Sequence, residues 1–210
     1  MMKLNLKAPR IEYLGLVPYK EAWDLQKRLH QKVVNGGEER VLLLEHDHVI
    51  TLGKSSKPQN LLFPREYLLS NGIEVYEVER GGDATYHGPG QLVGYFIVRV
   101  KSVKKLVDMV EEAIKRALLE VYPFEFSEGP HRGVWLKNGK KIASIGMAVK
   151  SGVSMHGFAL NLTTDLRFFN LINPCGLNPS VMTSLEKETG IKIPPSEFYP
   201  IMERAIKEVF

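Results

Sequence analysis

The 210-residue sequence contains a single cysteine, Cys175, so an internal disulfide is excluded and nothing suggests a secreted, disulfide-stabilised class. It also lacks any apolar run near the roughly 18 residues that a membrane helix needs. The first residues, MMKLNLKAPR, lack the apolar core of a signal peptide. These absences predict a cytoplasmic protein with no membrane association.

A strong charge of one sign is missing too. The net charge is +4 and the lysines are scattered rather than clustered with aromatic residues, so no nucleic-acid partner is expected. The mild positive charge suits an acidic protein partner instead. Hydrophobic residues are 44% and charged residues 25%, as in folded globular proteins, and the length predicts one domain over residues 1–210.

Periodic apolar positions predict several helices. Residues 19–37 have helical spacing that ends at Gly36 and Gly37, PREYLLSNG is typical of a short helix, and Ser196 is expected to begin a terminal helix. The clearest helix lies within residues 102–122. Its apolar stripe consists of Leu106, Val110, Ala113, Ala117 and Val121.

Strands are predicted between these helices. Val41–Leu44 and Val49–Leu52 flank a polar turn, and IEVYEVE and QLVGYFIVRV are rich in β-branched and aromatic residues. Asn138-Gly139 and Ser151-Gly152 mark the turns of a later hairpin series. Strands with helices at both ends and between them predict an α+β domain with one sheet.

Two strands of the hairpin series have one bulky face and one small face, since side chains alternate across a sheet. The small positions are Ser144, Gly146 and Ala148 in the first strand and Gly157, Ala159 and Asn161 in the second. If these faces lie side by side, they form a trough with exposed backbone. A thin apolar chain would fit this trough; the alternative is that a helix packs closely against it.

The segment RGGDATYHGPGQLVGY, residues 80–95, holds five glycines around Thr85, Tyr86 and His87. Glycine weakens strands and helices, so this density indicates that something must approach the backbone closely. We interpret the segment as one wall of a ligand site.

The thiol of Cys175 lies between Pro174 and Gly176, which mark a loop. A lone cysteine more often acts as a small buried apolar residue, but a loop position favours a thiol that takes part in a reaction. Because the thiolate is the attacking species, a neighbouring base or cation is needed. Lys141 begins the small-faced strand and is one candidate, although a lysine at a strand start is usually solvated and spacing alone does not pair it with Cys175.

Histidines are the other candidates for activation or binding. His87 and His156 lie beside glycines in the two ligand-like regions. His30 is expected on the surface of a helix. His46 and His48 lack a defined third ligand, so no metal site is expected.

Several segments spread along the chain carry a family resemblance. They are RGGDATYHGPGQLVGY, GKKIASIGMAVK, MHGFALNL and NPCGL, together with HRGVWL, LEHDHVITLGK and VMTSL. They resemble the octanoyltransferases of lipoate biosynthesis over nearly the whole chain. The resemblance implies a fold like the catalytic domains of biotin and lipoate protein ligases, α+β with a mixed β-sheet packed with helices.

The same resemblance implies roles for individual residues. Cys175 would be the acyl-thioester nucleophile and Lys141 the residue that activates it. The implied substrate contacts are Arg80, Gly81, Gly82, Asp83, Ala84, Thr85, Tyr86, His87, Ser144, Ile145, Gly146, Gly157, Phe158 and Ala159. Ala84 departs from the family pattern, where a larger β-branched residue is common, and this concerns the fit of the acyl pocket.

The implied reaction moves an octanoyl group from acyl carrier protein to a specific lysine of a lipoyl domain. The acceptors would be E2 subunits of 2-oxoacid dehydrogenases and the glycine cleavage H protein. No cofactor and no ATP are implied, because the thioester donor arrives activated. Lys141 would favour the thiolate as an ammonium and take the proton of the incoming nucleophile as an amine.

Three alternatives stay open on the sequence alone. An ATP-dependent lipoate or biotin ligase of the same fold needs no thiol. An amidotransferase that moves octanoyl between lipoyl domains shares the thiol chemistry but places its cysteine elsewhere. A non-catalytic module that binds lipoyl domains or acyl carriers would form no acyl adduct on Cys175.

Overall fold

The computed structural model describes residues 8–210, with the backbone alone described for Cys175. The strands are β1 (Arg10–Leu16), β2 (Arg40–Glu45), β3 (Val49–Leu52), β4 (Glu74–Glu77), β5 (Ala84–His87), β6 (Gln91–Ile97), β7 (Phe126–Ser127), β8 (Gly133–Leu136), β9 (Lys141–Lys150) and β10 (Val153–Asn161). The helices are α1 (Tyr19–Val34), α2 (Arg65–Ser70), α3 (Val103–Leu119), α4 (Leu185–Thr189) and α5 (Pro195–Val209). None of these helices is long and apolar enough to cross a membrane.

The strands form two sheets. A seven-stranded sheet has the order β1-β2-β6-β10-β9-β8-β7, and a three-stranded sheet has the order β4-β3-β5. In the larger sheet β1 runs parallel to β2 and the other neighbours are antiparallel. The α+β fold with a mixed sheet is therefore confirmed.

The prediction of one sheet is wrong. Strands β2 and β3 are neighbours along the chain but belong to different sheets. In the connection between them His46 is buried, and its Nδ1–H donates to the Val17 carbonyl at 2.7 Å. The chain is thereby held towards the interior after β2 instead of turning back along it.

Helices cover both faces of the larger sheet. On one face α3 and α5 pack against the strands through buried side chains such as Ile114, Phe198 and Leu160. On the other face α1 packs near Leu42 and Val93. These apolar contacts supply most of the free energy that stabilises the fold.

Helix boundaries follow the local sequence. Helix α3 begins after Ser102, whose hydroxyl accepts a hydrogen bond from the Lys105 N–H, as N-cap residues do. The predicted stripe of α3 is buried except for Val121, which lies beyond the helix end. The terminal helix begins at Pro195, one residue before the predicted start.

The hairpin of β9 and β10 brings the two small faces together, as predicted. Gly146 pairs with Gly157, and Ser144 pairs with Ala159. The opposite face of the hairpin packs under α3 and α5.

A β-bulge interrupts the pairing of β8 and β9. Val134 pairs with Ala143, but Trp135 pairs with Lys141, so Ile142 is an extra residue on β9. As a result Ile142 and Ala143 both point into the apolar core although they are consecutive. Strict alternation would place Lys141 on the side of Ala143; the bulge places it on the other side.

Candidate active site

A cavity of about 330 Å³ lies against the small face of β9 and β10. This volume is typical of small-molecule sites. The segment that begins at Arg80 forms the facing wall, and the Gly81 N–H donates to the Met147 carbonyl at 2.9 Å. A Cβ atom at Gly146 would lie 2.9 Å from the Gly81 oxygen, so the glycine permits this close approach. The trough predicted from the small faces is present beside Gly146 and Gly157, while α1 packs against part of the same face of β10, next to Ala159.

All of the predicted substrate-contact residues except Asp83 and Tyr86 line this cavity. Asp83 accepts a hydrogen bond from the Ala84 N–H at 2.7 Å and another from Asn60. Tyr86 is buried, and its hydroxyl lies 2.7 Å from Nδ1 of His48. Through these hydrogen bonds, Asp83 and Tyr86 stabilise the cavity wall on its side away from the cavity.

The glycines of segment 80–95 serve more than one purpose. Gly81 and Gly82 line the cavity, and Gly82 has the positive φ of +86° that favours glycine. In contrast, a Cβ atom at Gly94 would lie 2.1 Å from the Phe158 ring, and one at Gly88 would collide with the Tyr86 hydroxyl. That Gly81 and Gly82 admit a ligand stays a prediction, whereas Gly88 and Gly94 make room for neighbouring side chains.

Lys141 lines the cavity and is only 3% exposed. Its Nζ atom lies 5.4 Å from the centroid of the Trp135 ring, within the range of a cation–π contact. A Cβ atom at Gly133 would lie 2.7 Å from Lys141 Cε, so the glycine leaves room for the lysine stem. The usual solvated state of a lysine at a strand start does not apply here, because the bulge redirects the side chain inward.

The loop that carries Cys175 lies beside the strand of Lys141. Pro174 and Leu177, on either side of the cysteine, line the same cavity as Lys141. The Thr183 N–H donates to the Lys141 carbonyl at 3.0 Å and ties the end of this loop to β9. The Cys175 side chain lies outside the described part of the chain, so its contact with Lys141 stays a prediction.

His87 lines the cavity and is buried. Its Nδ1 atom lies 2.8 Å from Gln91 Oε1. Burial, reinforced by the nearby His46, lowers the pKa of His87 to about 3. The imidazole is therefore neutral near pH 7.

His156 also lines the cavity and has an unusual backbone conformation, with φ of +61° inside β10. Residues other than glycine rarely adopt this region, and such strain is concentrated at functional sites. The His156 N–H donates to Gln26 Oε1 at 2.8 Å, and its Nε2 lies 3.4 Å from Glu79. Although burial opposes it, hydrogen bonding by His156 and by Trp23 lowers the pKa of Glu79 to about 2.

Two other histidines are more buried than the sequence suggests. The expectation for His30 is wrong: it is buried, and its Nε2 lies 3.0 Å from the Lys150 carbonyl. His46 is buried beside His87, and the Tyr95 hydroxyl lies 2.6 Å from its Nε2. Burial lowers the pKa of His46 to about 4. No group of three or more metal-ligating side chains occurs among the residues that the structure describes.

Several cavity residues lie outside the segments that the sequence singled out. They are Tyr19, Val103 and Val107. They come from α1 and α3, and nothing in the local pattern of these helices marks them as site residues. Tyr19 packs its ring parallel to His87 at 6.2 Å, a contact between positions far apart in the chain.

Comparisons with known proteins show the family of this chain. The model of the lipoyl protein ligase A/B catalytic domain matches residues 18–207. The octanoyltransferase of Caldicellulosiruptor saccharolyticus is 44% identical over 213 residues, which cover 98% of this chain and 87% of that protein. The octanoyltransferase of Dictyoglomus thermophilum is 48% identical over 189 residues, which cover 89% of this chain and 80% of that protein.

Solved structures show the same fold at low sequence identity. Lipoate-protein ligase A bound with ATP superposes with a TM-score of 0.74 at 16% identity, covering 96% of this chain and 85% of that one. The biotin protein ligase of Aquifex aeolicus gives a TM-score of 0.54 at 14% identity, covering 96% and 69%. The family match and the similarity to curated relatives together show that this chain belongs to the octanoyltransferases, within the lipoyl protein ligase A/B catalytic domain family.

Proposed function

We propose that this chain transfers an octanoyl group from acyl carrier protein to a lysine of lipoyl domains, through an acyl thioester on Cys175. The acceptors are E2 subunits of 2-oxoacid dehydrogenases and the glycine cleavage H protein. The observation that carries the proposal is that the buried Lys141 and both flanks of Cys175 line one cavity. In this proposal residues 1–210 act as one domain in the cytoplasm, where a free thiol stays reduced, and need no cofactor.

In the first half-reaction the Cys175 thiolate attacks the carbonyl carbon of the carrier thioester. The new carbon–sulfur bond forms as the bond to the carrier sulfur breaks, and the leaving thiolate takes a proton from the Lys141 ammonium. A cation beside the cysteine favours its thiolate, which is the nucleophilic form. Exchange of one thioester for another is nearly neutral in free energy.

In the second half-reaction the amine of the target lysine attacks the acyl-cysteine. The amide bond forms, the Cys175 thiolate leaves, and the Lys141 amine accepts the proton that the attacking nitrogen loses. General base catalysis of this kind contributes about 10²–10⁴-fold. Conversion of a thioester into an amide is downhill, so the sequence of steps needs no ATP.

The small face of the hairpin supplies the space for the acyl chain. Ser144, Gly146, Gly157 and Ala159 project little into the cavity, so an eight-carbon chain can lie against the backbone there. Burial of such a chain contributes about 0.8 kcal/mol for each methylene. Chain-length preference then depends on which residues close the far end of the cavity.

Intact mass after incubation with octanoyl-acyl carrier protein tests the proposal. We expect the protein to gain the mass of one octanoyl group, and the Cys175→Ala variant to gain none. Ser180→Ala, in the same loop, is the matched control and should keep the adduct. Because the chain has one cysteine, the adduct can be assigned without ambiguity.

The same experiment separates the alternatives. Product formation by Cys175→Ala that requires ATP would favour a ligase. An adduct formed from an octanoylated lipoyl domain but not from the carrier would favour an amidotransferase. Binding of either partner without any adduct on the wild-type protein would favour a non-catalytic module.

A further inference from the structure

His87 is anchored by a chain of side-chain amides that starts at the cavity and runs inward. Its Nδ1 lies 2.8 Å from Gln91 Oε1. Gln91 Nε2 donates to the Tyr86 carbonyl at 3.2 Å and to Asn161 Oδ1 at 2.9 Å. Asn161 Nδ2 in turn donates to the Thr183 carbonyl at 2.9 Å. All of these side chains are buried.

These linked hydrogen bonds fix the orientation of the side-chain amides of Gln91 and Asn161. A backbone carbonyl can only accept, so the Asn161 atom that faces Thr183 must be the amide nitrogen and its Oδ1 must accept from Gln91. The Gln91 atom that faces the Tyr86 carbonyl must be a nitrogen for the same reason. Reversing Gln91 would create two contacts between acceptors in a buried place, which is costly. The Gln91 atom that faces His87 is therefore an oxygen.

The orientation of Gln91 determines the tautomer of His87. An oxygen acceptor at Nδ1 requires the hydrogen to be on Nδ1, and a neutral imidazole carries only one N–H. Nε2 consequently holds a bare lone pair. It lies on the ring edge directed away from Gln91, and the ring lines the cavity, with its plane held by the parallel ring of Tyr19.

Under the proposed function several reacting groups enter the cavity, and they differ in whether they can donate a hydrogen bond to the lone pair of Nε2. The thioester carbonyl, the oxyanion formed from it and the leaving thiolate all need donors, which a bare Nε2 does not supply. The amine of the incoming lysine offers N–H groups. We propose that His87 Nε2 accepts a hydrogen bond from this amine and directs its nitrogen at the acyl-cysteine carbonyl, an inference that rests on the proposed function.

In this role His87 acts on one half-reaction only. It contacts the nucleophile of the second step and has no partner in the first. An oxyanion donor at this position would instead assist both steps, because both pass through a tetrahedral oxyanion. The two roles are therefore distinguishable by measuring the half-reactions separately.

The tautomer can be measured without any substrate. A long-range ¹⁵N–¹H spectrum of the ¹⁵N-labelled protein at neutral pH, assigned with the His87→Gln variant, reports which ring nitrogen carries hydrogen. We expect a protonated Nδ1 and a bare Nε2 at His87. A hydrogen on Nε2, alone or on both nitrogens, would overturn the inference whatever the enzyme does.

A matched pair of variants tests the function of the lone pair. Glutamine places its amide near the Nε2 position and asparagine near the Nδ1 position, so His87→Gln keeps a polar group towards the cavity and His87→Asn keeps only the contact to Gln91. Acylation of Cys175 by the octanoyl carrier is followed by mass. Transfer from purified acyl-enzyme to a lipoyl domain is followed as loss of that mass. Thermal melting confirms that both variants fold.

We expect His87→Asn to be acylated within about threefold of the wild-type rate, while its transfer to the lipoyl domain falls about 10- to 100-fold, as for a lost hydrogen bond to a polar ligand. His87→Gln should recover much of the transfer rate. Equal slowing of both half-reactions, or equal transfer by the two folded variants, would refute the role. A wild-type protein that is never acylated would instead refute the proposed function.

Discussion

On one face of β9 and β10, Ala143 and Leu160 are fully buried in the core under α3 and α5; on the other face, Gly157 and Ala159 border the cavity. The same two strands thus supply apolar packing on one side and open space on the other. Strand parity separates the residues that stabilise the fold from those that shape the site.

Three residues do not follow this division between a core face and a cavity face. Ile145, Met147 and Phe158 contact the apolar core and also border the cavity. The Phe158 ring lies across Gly94 of the neighbouring strand, where no side chain fits beneath it. Substitutions at these positions would change stability and activity together, so tests of the comparison must use residues that belong to one face only.

The largest effect is expected from Lys141→Arg, at the cavity end of β9. Arginine keeps the positive charge but does not give up its proton, so the proposed shuttle fails. We expect the rate of octanoyl transfer to fall at least about 100-fold, measured with the octanoyl carrier and a lipoyl domain. Lys140→Arg, at the preceding position, should retain the wild-type rate. Normal turnover in Lys141→Arg would exclude the proton shuttle.

On the core face, Leu160→Ala should act on stability. Removing a fully buried leucine leaves a cavity, and the free energy of unfolding should fall by about 2–5 kcal/mol. Urea unfolding measures this change. Activity per folded molecule should be within about twofold of wild type. A large loss of activity in the folded protein would contradict the division between a core face that acts on stability and a cavity face that acts on activity.

On the cavity face, Ser144→Leu should act on substrate binding. Ser144 is only half-buried and faces the cavity, so a leucine side chain takes space from the acyl chain. We expect the KM for octanoyl carrier to rise roughly 10-fold, as for the loss of about two buried methylenes, and a hexanoyl carrier to become the better donor.

Ala148→Leu is the matched control for this prediction. Ala148 has the same parity on the same strand but does not border the cavity. Its chain-length preference should match that of the wild-type protein. A similar change of preference in both variants would mean that the leucines act through the strand rather than through the cavity.

The smallest effect concerns pH. His87 lines the cavity and His46 lies beside it, and burial lowers their pKa values to about 3 and about 4. In the unfolded chain these histidines bind protons near pH 6.5, so unfolding takes up protons below that pH and stability falls as pH decreases from about 6.5 towards 4 and 3.

At pH 5.5 the free energy of unfolding should be lower than at pH 7.5 by about 1 kcal/mol for each of these histidines. Urea unfolding at the two pH values measures the difference. The exposed His131 is the control, because His131→Gln should leave the pH dependence unchanged. Equal stability at both pH values would show that the buried histidines are not neutral.

Much of this arrangement follows from local sequence. The small faces of β9 and β10 are visible as alternation, and the pairing of Gly146 with Gly157 follows from the tight turn between the strands. The resemblance to octanoyltransferases depends on continuous segments such as RGGDATYHGPGQLVGY, and all but two of the implied contact residues line the cavity.

What the sequence did not predict depends on contacts between distant positions. His30 has ordinary helical spacing, and only the packing of α1 against the turn at Lys150 buries it. The separation of β2 from β3 depends on the anchoring of His46 to Val17. The inward position of Lys141 depends on the pairing of β9 with β8, which strand alternation within β9 does not reveal.

The bulge at Ile142 makes the register of β9 against β8 part of the chemistry. If Ile142 paired regularly with Trp135, alternation would turn the ammonium of Lys141 towards the hydrocarbon side chains beneath α3. Substitutions that keep the bulge should therefore leave the amine at the cavity, whereas a substitution that restores regular pairing should withdraw it.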